Sequence, residues 1–324
     1  MCFESMNYSV AIRTLGKAGL KFQTLLDSLR EQTIKPRGIY VYIAEGYPLP
    51  QETIGIEQYI YVKKGMVAQR AIAYKEIDSD YILFLDDDVY LPPDGVEKLF
   101  KAMSDNGAKV ISPDVFPNSQ RSVSGKIMMA ISGRMWPRKD DKKWAYKVMR
   151  NSGYSYNSSP SQDVYMSQTN AGPCFLCSKE DFLKIQFEDE MWLEKCSYAL
   201  GEDQVMFYKM FCLGYKQLTL FNSGIIHLDA GTTLQSEDKE RKMIFSDLRF
   251  KTVFWHRFIY TPDSSPIGKF ISIISASYTI AFTLMSSLLK GRLDIFQVKC
   301  AAIRDGVEFL KSREYKEIPK IKKS

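Results

Sequence analysis

The feature that most constrains this chain is an apolar run that ends in three consecutive aspartates, Tyr81-Ile-Leu-Phe-Leu85 followed by Asp86-Asp87-Asp88. Five apolar residues bounded by charges predict a buried strand. Three successive carboxylates raise one another's pKa unless a cation lies between them. A divalent Mg²⁺ or Mn²⁺, held by carboxylates and by phosphate oxygens of a substrate, would explain the run. The alternative is a solvated turn whose aspartates cap the following helix.

Strands and helices alternate on both sides of this run. The pattern predicts strands over 9–13, 38–43, 60–62, 81–85 and 109–112, and helices that carry Phe22 to Leu29 and span 67–76 and 94–103. We therefore expect an α/β fold with a Rossmann-like, mostly parallel sheet flanked by helices. Ligands of such sheets bind beyond the carboxyl ends of the strands. Thr14, Glu45 and the three aspartates are therefore candidates for one site.

The second half of the chain is less regular. Residues 113–168 are rich in Ser, Asn, Pro and basic clusters, which predicts loops with one or two short elements. A turn then leads into a strand over 172–177, and an apolar-striped helix runs from Glu202 to Leu213. Residues 236–324 predict a C-terminal helical extension.

Composition narrows the partners. The formal net charge of the 324 residues is +6, and residues 290–324 hold ten Lys/Arg against five Asp/Glu. A basic tail on an otherwise nearly neutral chain suits an anionic membrane surface better than a nucleic acid, so we expect no nucleic-acid partner. The start of the sequence lacks the basic and apolar regions of a secretory signal, which predicts a cytoplasmic protein.

With this pattern the sequence resembles the family 2 glycosyltransferases. The resemblance is carried by Ile82-Leu-Phe-Leu-Asp-Asp-Asp-Val89, by Leu91-Pro-Pro-Asp94, by Ser28 to Pro36, and by Gly65 with Ala68-Gln-Arg70. It covers about residues 8–230 and implies a GT-A fold. It also implies that Asp86 and Asp87 face the nucleotide or ribose, and that Asp88, together with Asp86, ligates Mn²⁺ or Mg²⁺.

The same resemblance assigns roles to the Gly201-Glu-Asp-Gln204 stretch. It matches the Glu-Asp pair of inverting members, in which Asp203 is the general base and Glu202 positions the acceptor or the base. The alternative is a helix start, because acidic residues in a first turn are favoured by the helix dipole. No QxxRW motif follows the pair, which argues against a processive synthase.

Further residues receive roles by resemblance, each with a structural alternative. His227 would complete the metal site, although a lone histidine is usually a packed or surface residue. The turn at Asn170 and Gly172 would border the donor sugar and the acceptor, or would be an ordinary turn before a strand. Arg70 would hold the nucleotide or a phosphate, or would lie on a solvated helix face. Glu45 would contact the base or ribose, with Thr14 nearby.

The C-terminal extension contains twenty uncharged residues, 270–289, long enough to span a bilayer. Five hydroxyl residues form one polar stripe along them: Ser272, Ser275, Thr279, Thr283 and Ser286. A helix with such a stripe and a basic tail predicts peripheral attachment to a membrane. The alternative is a terminal helix pair packed on the catalytic domain or on a second subunit of a homo-oligomer.

Together these expectations describe a metal-dependent, non-processive inverting glycosyltransferase. Residues 1–235 would form its GT-A catalytic domain, with the nucleotide-sugar part over about 1–112, the acceptor part over about 113–235 and the extension over 236–324. The donor would be a nucleotide-diphosphate sugar, and the acceptor a saccharide or a polyprenyl-diphosphate-linked saccharide in bacterial surface polysaccharide synthesis. Such an enzyme would lie on the cytoplasmic face of the inner membrane. The alternatives are a nucleotidyltransferase and an inactive GT-A module that binds nucleotide-sugar or glycan.

Overall fold

The computed structural model describes residues 7–115, 122–132, 143–157, 159–228 and 236–322. The strands within these ranges are β1 Tyr8–Thr14, β2 Ile39–Ala44, β3 Glu57–Val62, β4 Tyr81–Asp86, β5 Val89–Tyr90, β6 Val110–Pro113, β7 Trp144–Val148, β8 Tyr154–Tyr156, β9 Val164–Ser167, β10 Cys174–Ser178, β11 Gln217–Leu220 and β12 Ile226–His227. The helices are α1 Leu20–Arg30, α2 Gly95–Asp105, α3 Val123–Ile131, α4 Lys179–Lys184, α5 Glu202–Cys212, α6 Glu237–Phe254, α7 Pro266–Leu289, α8 Leu293–Lys311 and α9 Arg313–Glu317. A 3₁₀ segment covers Phe187–Lys195, and a π-helical segment, Trp255–Tyr260, extends α6.

One large sheet organises the chain, in the order β3-β2-β1-β4-β10-β6-β11-β9-β7-β8. Strands β1 to β4 pair in parallel, whereas β10 runs antiparallel between β4 and β6. Successive side chains of a strand point to opposite faces. Accordingly Val10 and Ile12 pack under α1 and α2, while Ala11 packs on the face that α5 and the C-terminal helices cover. The predicted α/β class is confirmed: a mixed, mostly parallel sheet with helices on both faces.

The predicted helix over 67–76 is wrong. Residues 63–80 form turns, in which Gly65 has φ +151° and Tyr74 has φ +47°. The carboxylate of Glu194 accepts hydrogen bonds from the backbone N–H of Val67 at 2.6 Å and of Ala68 at 3.2 Å. The segment is therefore held by a side chain from a distant part of the chain, a contact that local periodicity does not reveal.

The segment over 113–168 is more regular than expected. Its described residues contain α3 and the three strands β7, β8 and β9. Strand β9 pairs antiparallel with β11, and β7 joins β9 in parallel. These strands extend the main sheet, so the predicted acceptor part and the predicted nucleotide part share one sheet.

Helix α7 carries its polar side inward. Its buried residues are small or hydroxyl-bearing: Gly268, Ser272, Ala276, Thr283 and Ser287. Its large apolar residues are exposed, among them Phe270 at 64% and Leu289 at 82%. Within the described ranges, α7 is the helix long and apolar enough to cross a membrane by length and composition.

Candidate active site

The carboxyl ends of β1, β2 and β4 meet at one edge of the sheet, as parallel pairing requires. The register places Arg13 beside Asp86 and Thr14 beside Ile43. The Thr14 hydroxyl donates a hydrogen bond to the Asp87 carboxylate and accepts one from the backbone N–H of Gly16 at 2.8 Å. Glu45 follows β2 at this edge and is exposed. Thr14 and Asp87 are in contact at this edge, and Glu45 lies at the end of the neighbouring strand β2.

Asp86 is held by two arginines. Arg13 donates from Nε to Oδ1 at 2.5 Å and from Nη2 to Oδ2 at 3.1 Å, and Arg70 Nη2 lies 3.4 Å from Oδ1. Burial raises the pKa of Asp86, but the two guanidinium groups outweigh it and hold the pKa below its usual value. Both carboxylate oxygens are engaged in an ion network, and the nucleotide and metal roles that the resemblance implies for Asp86 stay predictions.

Arg70 connects this edge to the start of α5. Its Nη1 lies 2.9 Å from each Glu202 oxygen and 2.6 Å from Asp203 Oδ1, and its Nη2 donates to the Gly172 carbonyl at 2.7 Å. At 3% exposure, Arg70 is not on a solvated helix face. Its partners here are carboxylates, so its predicted contact with a nucleotide or phosphate stays a prediction.

Arg13 is the residue that sequence reasoning missed. Besides Asp86, its Nη1 donates to Glu202 Oε1 at 2.7 Å, so it bridges strand β4 and helix α5. We counted it only as the end of an apolar strand. The available signal was an arginine at the carboxyl end of such a strand, next to the strand that ends in aspartates, because that position faces the ligand edge.

Asp203 is positioned by backbone and side chain together. It lies in the first turn of α5, where the helix dipole favours a carboxylate. The Gly172 N–H donates to Oδ2 at 3.0 Å, and a Cβ on Gly172 would lie 1.8 Å from Oδ1. Only glycine fits there. The Asp203 side chain remains 34% exposed, so part of the carboxylate stays available to a ligand.

Asn170 and Glu202 are less accessible to a ligand than Asp203. The Thr219 hydroxyl donates to Asn170 Oδ1 at 2.5 Å, and Asn170 Nδ2 donates to the Leu218 carbonyl at 3.4 Å, so this amide bonds to β11. Burial raises the pKa of Glu202 to about 7, and the Asp203 charge adds to this rise, while Arg70 and Arg13 oppose it. Burial likewise raises the pKa of Asp87 to about 6. Both carboxyls are costly to charge without further cations.

Asp88 and His227 form a pair suited to a divalent cation. The two-stranded ribbon of β5 and β12 aligns His227 with Val89, and the Leu228 N–H donates to the Asp88 carbonyl at 2.8 Å. His227 Nε2 lies 3.0 Å from Asp88 Oδ1. A carboxylate oxygen and an imidazole nitrogen suit Mn²⁺. The described residues contain no cluster of three or more His, Cys, Asp or Glu for a metal, so this pair would supply two ligands.

A cavity of about 930 Å³ opens beside Asp203. The turn at Asn170 and Ala171 borders it, and so does the start of α5. Opposite them lie the strands of the extended sheet and parts of α6, α7 and α8. The exposed part of Asp203 therefore faces a space large enough for an acceptor.

Comparisons with known proteins address the family and the fold of the chain. The family model described as glycosyl transferase family 2 matches residues 58–157. A TarS chain of residues 1–349 from S. aureus is 14% identical over 95% of this chain and 82% of that chain, with a TM-score of 0.53. The same TarS region in complex with UDP-GlcNAc is 14% identical over 94% of this chain and 81% of that chain, with a TM-score of 0.50.

A mannosyltransferase, PcManGT from Pyrobaculum calidifontis in complex with GDP-Man and Mn²⁺, is 12% identical over 96% of this chain and 82% of that chain. Its TM-score of 0.46 carries no further conclusion. No curated protein sequence matches significantly. At these identities the structural matches show the fold alone. The resemblance to the family 2 glycosyltransferases is therefore confirmed, by the family model over residues 58–157 and by a GT-A fold.

Proposed function

We propose that this chain is an inverting glycosyltransferase that moves a hexosyl or related sugar from a nucleotide-diphosphate donor to a saccharide hydroxyl, one unit at a time. The observation that carries the proposal is Asp203, a partly exposed carboxylate in a helix's first turn, fixed by the Gly172 N–H at 3.0 Å and facing a large cavity. A positioned carboxylate of this kind serves as a general base.

The proposed reaction uses Asp203 as the base. Asp203 takes the proton of the acceptor hydroxyl, whose oxygen attacks the anomeric carbon on the face opposite the nucleotide. The new carbon–oxygen bond forms as the bond to the diphosphate breaks, and the nucleoside diphosphate leaves with the electron pair. A carboxylate has about four lone-pair positions. Arg70 and Gly172 take one each, and the remaining positions can receive the hydroxyl proton.

The donor would lie at the carboxyl edge of the sheet. Thr14 and Asp87 form a hydrogen-bonded pair there, and Glu45 is the exposed residue after β2, so these three would contact the nucleotide. Asp88 and His227 would hold Mn²⁺ or Mg²⁺. The bound cation would stabilise the charge that develops on the departing diphosphate. Arg13 and Arg70 hold Asp86 in its ionised form, and they oppose the rise that burial produces in the pKa of Glu202 beside Asp203.

A membrane surface is the partner that we propose for the C-terminal extension. Support comes from the outward face of α7, where large apolar residues are exposed, and from α3, to which it is joined by a hydrogen bond from the Tyr278 hydroxyl to the Ile131 carbonyl at 2.6 Å. Exposed apolar patches of this kind mark membrane or protein contacts. The enzyme would act on the cytoplasmic face, on a polyprenyl-diphosphate-linked saccharide of surface polysaccharide synthesis. A second copy of the chain is the alternative occupant.

A screen for nucleoside-diphosphate release tests the proposal. Purified protein would be incubated with UDP-, GDP- and dTDP-sugars in Mn²⁺, Mg²⁺ or EDTA. We expect one donor class to release nucleoside diphosphate with either cation and not with EDTA. Release of pyrophosphate from nucleoside triphosphate and sugar phosphate would identify a nucleotidyltransferase instead. Donor binding without turnover across the acceptors tried would favour an inactive binding module.

A further inference from the structure

The cavity beside Asp203 has a second arm that sugar transfer alone leaves unused. This arm lies between α6, α7 and α8. The side chains that α8 turns to it are apolar, whereas those of α6 and α7 are mixed and include the Asp247–Lys251 ion pair and three hydroxyl residues of α7. On α7 the facing positions Ile273, Ala276 and Ile280 follow at i, i+3 and i+7, which is one helix face. On α8 they are Ile303 and Val307, one turn apart. We call this space the apolar arm.

The other end of the same cavity is polar and aromatic. Tyr146, Tyr154 and Tyr156 line it, with the Tyr146 and Tyr156 rings stacked at 5.9 Å between centroids. Asn151 lines it too. Flat rings beside amides suit a sugar, which presents apolar C–H faces and hydroxyl edges. Asp203 lines the same cavity as both groups of residues, so one ligand that reaches it can contact both.

The walls of the apolar arm are fixed by hydrogen bonds. Trp255, in the π-helical extension of α6, donates from Nε1 to the Ser272 carbonyl of α7 at 3.3 Å. Asn151 Nδ2 donates to Thr279 Oγ1 of α7 at 2.8 Å. These contacts tie α7 to α6 and to the extended sheet. The total volume of about 930 Å³ is near the upper end of ligand pockets, which is about 1,000 Å³. One sugar does not fill it.

We propose that the apolar arm binds the hydrocarbon chain of an amphiphilic acceptor, whose saccharide head lies in the polar arm with its reacting hydroxyl at Asp203. This rests on the proposed function for the role of the head, whereas binding of the chain does not need catalysis. The apolar arm adjoins α7, whose opposite side exposes large apolar residues such as Ile274. The apolar arm and the proposed membrane-facing surface therefore lie on two sides of one helix.

The test is binding of maltose and of octyl, decyl and dodecyl maltoside, each below its micelle concentration, measured by titration calorimetry without any donor. Burial of hydrocarbon strengthens binding about fourfold per methylene. We expect one binding site per protein molecule. The affinity should rise by about fourfold for each added methylene from octyl to dodecyl maltoside, and maltose should bind most weakly. Equal binding of maltose and the alkyl maltosides would overturn the proposal.

Two substitutions in α7 test where the hydrocarbon chain of the ligand binds. Ala276 is 8% exposed and faces the arm, so Ala276→Trp fills it, and dodecyl maltoside should lose its advantage over maltose. Ala281 is on the exposed side of the same helix, so Ala281→Trp is the matched control and should bind as the unaltered protein does. Unchanged binding in folded Ala276→Trp, or loss in Ala281→Trp alone, would place the chain on the outer face of α7 and contradict the proposal.

A second variant covers a failure of Ala276→Trp to fold, which thermal unfolding would reveal. Val307 is 38% exposed and lines the arm from α8, so Val307→Trp is easier to accommodate and should also remove the chain-length dependence. Because no donor is present, these results are independent of sugar transfer. Binding that depends on the hydrocarbon length, without any donor turnover, would support the apolar arm as a hydrocarbon site and contradict the proposed glycosyltransferase activity. Donor turnover with no effect of hydrocarbon length would support the activity and contradict the hydrocarbon site.

Discussion

Two buried ion networks within the described part of the chain differ in charge balance. In the first, which we call the structural network, Asp189 and Glu190 face Lys209 and Arg257. Glu190 is fully buried, and Arg257 binds both its oxygens at 2.7 and 2.9 Å. Two negative charges meet two positive charges. This network joins the 3₁₀ segment, α5 and the C-terminal extension.

The second, which we call the site network, has one carboxylate more than it has cations. Asp86, Glu202 and Asp203 share Arg13 and Arg70. The consequence appears in the pKa values of two buried glutamates. Burial raises the pKa of Glu190, but Lys209 and Arg257 outweigh it and lower the pKa below its usual value. Burial raises the pKa of Glu202 to about 7 in spite of its arginines.

The difference teaches how to distinguish a structural cluster from a functional one. A balanced network satisfies its own charges and needs no ligand. An unbalanced network that opens to a cavity keeps a carboxylate free to accept a proton, and such perturbed groups gather at functional sites. We therefore expect substitutions in the structural network to change stability, and those in the site network to change turnover.

The largest effect on stability should come from Arg257→Ala. It leaves the fully buried Glu190 with Lys209 and the indole N–H of Trp192, and breaking a buried pair costs about 3–5 kcal/mol. Urea denaturation measures the loss, and nucleoside-diphosphate release by the remaining folded protein should be unchanged. Arg313→Ala is the control, because Arg313 pairs with Glu317 at the surface and should leave the unfolding free energy as it is. Equal stabilities of the two variants would refute the contrast.

Arg13→Ala should act mainly on turnover. Arg13 holds Asp86 and Glu202 in place without reaching Asp203 by hydrogen bond, so we class it as a positioning residue. Small displacements of catalytic groups cost about 100-fold in rate. We expect kcat to fall by that order with little change in KM for the donor, and Arg13→Lys to recover part of it. A variant with normal kcat and a lower free energy of unfolding would show that Arg13 acts on stability and not on turnover.

A smaller effect concerns pH. As the pH falls through about 7, Glu202 gains a proton and Arg70 is left with fewer negative partners, so it binds Asp203 more strongly and makes it a poorer base. We expect kcat to fall by up to about tenfold per pH unit below that point. In Glu202→Gln this step should disappear from the pH profile. An unchanged step would assign it to another group.

The same shift has a consequence for stability. The folded-state pKa of Glu202 lies above its ordinary value of 4.5, so the unfolded chain releases this proton first. The stabilising contribution of the protonated group is therefore complete below pH 4.5 and is lost as the pH rises through about 7.

The elements that could be predicted from the sequence are those that local residue patterns determine. The strands that became β1, β2 and β4 and the helices that became α2 and α5 were predicted because their apolar residues recur at strand or helix spacing. The turn over 63–80 was missed because Glu194 holds its backbone from more than a hundred residues away. The strands β7 to β9 were missed because they are short and gain stability only by pairing on β11.

The residues of the candidate site likewise divide into those with a local sequence signal and those whose role depends on distant contacts. Asp86, Asp87, Glu202 and Asp203 could be named from strand ends and from a helix start. Arg13 was missed, because its partners are two carboxylates 73 and 189 positions along the chain. The ion network around Asp86 was missed for the same reason: its partner arginines become neighbours only in the folded chain.

The central claim is that Asp203 is the base of a glycosyl transfer, and Asp203→Asn tests it most directly. The variant keeps the shape of the side chain but not its basicity. We expect nucleoside-diphosphate release to fall about 10²- to 10⁴-fold, while donor affinity and the unfolding midpoint stay close to those of the unaltered protein. Asp189→Asn, in the structural network, should retain turnover. Full turnover by Asp203→Asn would contradict the account.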